Sequence, residues 1–188
     1  SNGAAPAAPA APWMPLIADL GAWDGDKTLW SVENNVLAGR SQGIPKSSYL
    51  ASKASWDDFE LAFDVRLSGR DPNSGLQYRS ALDPAKIDPI GYQADIGMEY
   101  WGSLFATDER FTFIAKADPA VWKPAVTVGG WNHYVVRAAG DRHAVEINGR
   151  KVLEAQDGRH RTGRLAFQLH AGEPMEVRMA NGQIRPIK

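Results

Sequence analysis

The stretch Phe59-Glu60-Leu61-Ala62-Phe63-Asp64-Val65-Arg66-Leu67 decides how the rest of the chain is read. Positions 59, 61, 63, 65 and 67 are apolar and positions 60, 64 and 66 are charged. A period of two places the first set on one face of a β-strand, buried, and the second on the other, wet. Outward from it the same alternation recurs in short segments separated by Gly, Pro, Asp or Asn. Ala144–Ile147 and Arg150–Leu153 flank Asn148-Gly149, whose tolerance of positive φ suits a type I′ hairpin turn. Further extended segments are Trp30–Leu37, Leu76–Arg79, Gly91–Ile96, Phe111–Ala115, His133–Arg137, Arg164–His170 and Met175–Met179. That makes about ten short strands and no clear helix, the pattern of an all-β sandwich or jelly roll, with a closed barrel as the alternative.

Composition agrees. Gly 18 and Pro 12 in 188 residues provide the punctuation that many short strands need. The length suits one domain over 13–188 with a core large enough to fold without a disulfide or structural metal. Lys+Arg 21 against Asp+Glu 22 leaves a net charge of −1, which argues against a nucleic-acid or anionic-membrane partner. With Cys 0 there is no thiolate nucleophile, disulfide framework, iron–sulfur cluster or thiolate-bound zinc. No stretch approaches the roughly 20 apolar residues of a membrane span. Residues 1–12 read as a disordered Ala/Pro-rich linker, with Ser1-Asn2-Gly3 resembling a cloning scar. Such a tether fits a periplasmic or secreted protein, lipid-anchored or led by a signal peptide before processing. No repeat at 20–50 residues and no phosphate-loop, dinucleotide, serine-elbow or zinc-helix motif is found.

Alternation also shows which polar side chains share a strand face. Gln77 pairs with Arg79, Gln93 with Asp95, and Gln168 with His170, the last opposite the apolar Leu165, Phe167 and Leu169. A face of Gln, Arg, Asp and His, without Lys and Glu, suits carbohydrate hydroxyls, which amides, carboxylates and guanidinium groups match in pairs. Tyr100 and Trp101 follow closely and offer an aromatic surface for a sugar ring, while the remaining tryptophans read as core. The plain reading of any single pair is the solvent side of a sandwich. His133, His143 and the Arg159-His160-Arg161 loop carry no assignment.

Asp58-Phe59-Glu60-Leu61, Asn73-Ser74-Gly75-Leu76 with Arg79, Gly91-Tyr92-Gln93-Ala94-Asp95-Ile96, Trp131-Asn132, Asn148-Gly149, Gly163 and Leu165-Ala166-Phe167-Gln168-Leu169-His170 together resemble the 3-keto-disaccharide hydrolase domain family, in the family's order, from about Trp23 to the C-terminus. The resemblance implies a concanavalin-like jelly-roll sandwich. It also implies cleavage of a glycoside whose C3 hydroxyl is already a ketone, by C2 proton abstraction and loss of the C1 group. On that expectation His170 is base or acid, Asp95 and Glu99 are partner carboxylates, and Arg79 clamps an enolate or hydroxyl. Gln77, Gln93, Tyr100, Trp101 and Gln168 bind the sugar. A divalent metal held by His170 and these carboxylates is left open, as is the oligomeric state. The other readings are a non-catalytic carbohydrate-binding module and an interaction domain.

Overall fold

The structure is a computed structural model that describes residues 11–187. The expected linker 1–12 therefore lies, except for its last two residues, outside the described residues. Fifteen strands run as β1 (Met14–Pro15), β2 (Trp23–Asp24), β3 (Trp30–Glu33), β4 (Val36–Ser41), β5 (Ser48–Trp56), β6 (Phe59–Gly69), β7 (Asn73–Ala81) and β8 (Ile90–Gly97), followed by β9 (Leu104–Ala106), β10 (Thr112–Ala115), β11 (Asn132–Ala139), β12 (Arg142–Ile147), β13 (Arg150–Gln156), β14 (Gly163–Leu169) and β15 (Met175–Pro186). They form two antiparallel sheets, β13-β12-β11-β6-β15-β4-β3 with β1 beside β15, and β10-β9-β8-β7-β14-β5-β2. This is the jelly-roll sandwich expected from the sequence, not the barrel.

The deciding stretch sits near the middle of the first sheet. Phe59, Leu61, Phe63 and Val65 are fully buried between the sheets. Phe63 stacks on Tyr134 at 5.4 Å and meets Phe167 of the opposite sheet edge-on at 5.5 Å, so one side chain ties both layers to the core. The hairpin at Asn148-Gly149 forms as expected, with φ of 50 and 80.

Three features depart from the expectation. Trp30–Leu37 is not one strand but a hairpin, β3 to β4, because Asn34 and Asn35 both take positive φ (51 and 63), a conformation asparagine tolerates. β5 lacks a clean apolar alternation in sequence yet lies inside the second sheet, between β14 and β2. A short helix, α1 (Pro119–Ala125), is capped by the Asp118 side chain on Ala120 N–H with Pro119 opening it, and it buries Trp122. Among the described residues no helix is long and apolar enough to cross a membrane.

Candidate functional site

The site residues gather on the outer face of the second sheet. Ala166 of β14 pairs with Gln77 of β7, and Gln77 with Gln93 of β8. One step along, Tyr49 of β5 pairs with Gln168, and Gly75 pairs with Asp95. Side chains of paired residues project to the same face, and the opposite face carries Leu76, Tyr78, Tyr92, Ala94, Ile96 and Phe167 into the core. Gln77, Gln93, Gln168 and Asp95 are thus brought together, as the alternation predicted.

Their hydrogen bonds form one directed ladder. Gln93 Nε2 donates to Asp95 Oδ1 at 2.9 Å and to Gln168 Oε1 at 3.3 Å. Gln93 Oε1 accepts from Gln77 Nε2 at 3.1 Å, and Gln77 Oε1 accepts from Ser80 Oγ at 2.7 Å. On the other side Gln168 Nε2 donates to the Tyr49 hydroxyl at 2.9 Å, and that hydroxyl donates to Asp88 Oδ1 at 2.5 Å. All three glutamines are buried, and these bonds occupy most of their capacity. The amides therefore orient Asp95 and one another; the geometry does not leave them as free partners for sugar hydroxyls.

Asp95 is the exception in the row. It is 4% exposed, and among the described residues Gln93 is the only side chain that bonds its carboxylate. Its second oxygen has no protein partner among the described residues and is not among the polar atoms sealed from solvent. Burial pushes its pKa up to about 7, against a smaller downward pull from the Gln93 hydrogen bond. An ionisable group so placed can exchange a proton near neutrality.

His170 follows the end of β14, beyond the paired positions Leu76 and Phe167. It is partly buried and lines a cleft of about 250 Å³ with Arg70, Asn73, Met98 and Glu173. Its Nδ1 lies 2.7 Å from the Ala171 carbonyl. A carbonyl only accepts, so Nδ1 carries the proton and the neutral ring's lone pair is on Nε2.

Arg79 does not join this face. The β7 register is irregular on both sides near it, and its φ is 47, so the side chain leaves the alternation that Gln77 obeys. Its guanidinium is fully buried at the end of the sandwich, donating to the carbonyls of Asp57, Gly140 and His160 and pairing with Asp58 at 2.8 Å. It is a structural tie between the sheets, its guanidinium sealed from solvent. Trp101 is also displaced from its expected role: only 5% exposed, it packs in the core. Glu99 is exposed on the turn after β8, where it lines a different cleft of about 640 Å³ with Trp101, Trp122 and Lys123. His170, Asp95 and Glu99 consequently do not form a ligand set, and among the described residues no three His, Cys, Asp or Glu side chains do.

Ser80, Tyr49 and Asp88 take part in the ladder without having been singled out by the sequence reading. Tyr49 and Asp88 close the ladder, yet β5 shows little alternation and Asp88 lies in a loop between two prolines, Pro84 and Pro89, and so looks like turn punctuation.

Residues 12–185 match the model of the 3-keto-alpha-glucoside-1,2-lyase-like domain. The chain belongs to this family. A comparison with curated protein sequences finds no match. Among solved structures, this lyase-like domain is similar to a candidate glycosyl hydrolase from Parabacteroides distasonis, at 21% identity over 94% of this chain and 100% of the other with a TM-score of 0.73. It is similar to the carbohydrate-binding module CBM66 from Bacillus subtilis, at 20% identity over 94% and 96% with a TM-score of 0.67. A Bacillus subtilis protein with a galectin-like fold shares 11% identity over 93% and 94%, with a TM-score of 0.64. At these identities the likenesses establish the sandwich fold of the lyase-like domain and nothing finer.

Proposed function

We propose that this lyase-like domain cleaves the glycosidic bond of 3-keto-glycosides on the outer face of the second sheet, with Asp95 as the base that removes the C2 proton. The observation that carries the reading is the largely buried Asp95 carboxylate, which Gln93 holds through Oδ1 while its second oxygen has no protein partner among the described residues. A ketone at C3 acidifies C2–H, so a base titrating near pH 7 can take that proton, whereas an ordinary glycoside offers no proton acidic enough. The C2–H electron pair becomes the C2=C3 bond of an enolate, with the charge on O3. The enolate then re-forms the ketone, builds a C1=C2 bond and expels the C1 oxygen, which takes up a proton. We assign that proton to His170, just past the end of β14, in its imidazolium form, in which Nε2 carries a hydrogen while Nδ1–H stays on the Ala171 carbonyl. Water added across C1=C2 completes net hydrolysis. This route needs one base and one acid, not the two carboxylates at set separation of ordinary glycosidases.

A purely binding face has little use for a buried carboxylate with an unpartnered oxygen, since leaving it there costs free energy that hydroxyl-binding amides would not. The test is incubation with a 3-keto-disaccharide and with its unoxidised parent, followed by detection of released sugar. Cleavage of the ketone alone, abolished in Asp95→Asn, is expected. Binding without turnover of either sugar would establish the non-catalytic module instead.

A further inference from the structure

The row that holds Gln77 and Gln93 continues into aromatic ground. Gln93 pairs with Phe105 of β9, and Phe105 with Phe113 of β10. Phe105 and Phe113 stack with centroids 4.2 Å apart, Phe111 meets Phe105 at 5.5 Å, and Tyr100 packs 5.2 Å from Phe113. None of these four rings belongs to the core between the sheets, and Tyr100 is 42% exposed. The turn that carries Tyr100 is bonded directly to Asp95: Gly102 N–H donates to the Asp95 carbonyl, Asp95 N–H to the Ser103 carbonyl, and Ser103 N–H to the Tyr100 carbonyl. With strands ~4.8 Å apart and ~6.7 Å between alternate residues, the Phe105 backbone lies roughly 8 Å from that of Asp95.

The face thus has two chemical halves meeting at Asp95. Toward Tyr49 it is amide and hydroxyl; toward β10 it is four rings that carry a single hydroxyl among them. A sugar placed on the aromatic half would leave most of its hydroxyls without protein partners, whereas a flat phenolic group needs few and gains from ring contacts. The Lys116 ammonium lies 4.6 Å from the Phe113 centroid, where a departing phenolate's negative charge would be drawn.

We propose that the Tyr100–Phe105–Phe113 wall holds the leaving group of the 3-keto-glycoside, and that the group it selects is a phenolic aglycone and not a second sugar. The proposal rests on the assignment of cleavage to the Asp95 face. Bond changes are those given above, with the C1–O electron pair leaving on the phenol oxygen.

The experiment compares two 3-keto-glucosides of the same anomer, one aryl and one glucosyl, in the wild type and in Tyr100→Ala and Phe113→Leu. A phenol leaves more readily by its own chemistry, so the decisive quantity is how the ratio of the two kcat/KM values changes between proteins. Each variant is expected to lower the aryl-to-glucosyl ratio about fivefold or more, the size of a lost ring contact. Tyr100 is exposed, so its truncation leaves the sandwich intact even if Phe113→Leu is poorly folded. A ratio unchanged within twofold in Tyr100→Ala, with both substrates still cleaved, overturns the aryl preference while the cleavage reading stands. If the wild type cleaves neither substrate, both fall.

Discussion

The Gln93 side chain lies across Gly75: a Cβ on Gly75 would stand 2.5 Å from Gln93 Cδ. The glycine between Gln168 and Asp95 therefore provides the space through which one amide reaches both. In Gly75→Ala the amide has to move, and Asp95 loses the hydrogen bond that holds its pKa down. The rising limb of the kcat/KM profile is expected to shift to higher pH, with about a fivefold loss at pH 7 if it moves by one pH unit. A profile superimposable on the wild type would show that Gln93 does not tune the base.

Asp95 works against the fold at the pH where it works for the reaction. Burial raises its pKa to about 7 from the ordinary value of 3.8, so its stabilising, protonated form is complete below pH 4 and lost as pH rises through 7. Asp95→Asn, which cannot ionise, is expected to gain stability over the wild type at pH 8, on the order of a few kcal/mol at about 1.4 kcal/mol per pH unit. The two proteins should converge near pH 4. Thermal denaturation at both pH values measures this, and an equal difference at both would mean that the carboxyl is not perturbed.

Arg79→Met should be among the most damaging substitutions in the chain, because it leaves Asp58 and three carbonyls without their buried donor. Loss of about 3 kcal/mol or more is expected from the three stranded carbonyls, Asp58 being partly exposed and keeping the Gly140 N–H, and it is read as a fall in denaturation midpoint. A well-folded variant that binds substrate poorly would instead restore Arg79 to the site.

Tyr49→Phe isolates the far end of the ladder. It removes the donor to Asp88 and the acceptor for Gln168, at about 1–3 kcal/mol. Urea unfolding gives the cost. Because Gln93 still links Gln168 to Asp95, activity in the folded protein is expected to fall less than in Gly75→Ala.

Sequence periodicity identified this face wherever the backbone stayed regular. Gln77, Gln93, Asp95 and Gln168 sit where alternation put them because β7, β8 and β14 are unbroken there. Arg79 was misplaced by a local irregularity that a binary pattern does not encode, since no residue type at 78–81 announces positive φ. Trp101 was misplaced for a related reason: it follows the Gly97–Met98 turn, where φ of 115 and 54 reverse the chain and end the strand's two-residue rule. Phe105 and Phe113 could have been found from the row they share with Gln93, but only once strand neighbours were known. Asp88 had no local signal, because its role is set by Tyr49, 39 residues earlier.

The strand order has a consequence for how the protein comes into being. β14 lies between β7 and β5, and β15 between β6 and β4, so each sheet receives an interior strand from the last 26 residues of the chain. A ribosome-bound chain ending before Gly163 would present four unsatisfied strand edges, β5 and β7 in one sheet and β4 and β6 in the other, together with an Asp95 row lacking Gln168. The two halves of each sheet are joined by strands made after all the others that flank them. Activity and protection from aggregation should therefore arise together, once β14 and β15 are in place, and deletion of those two strands should abolish both.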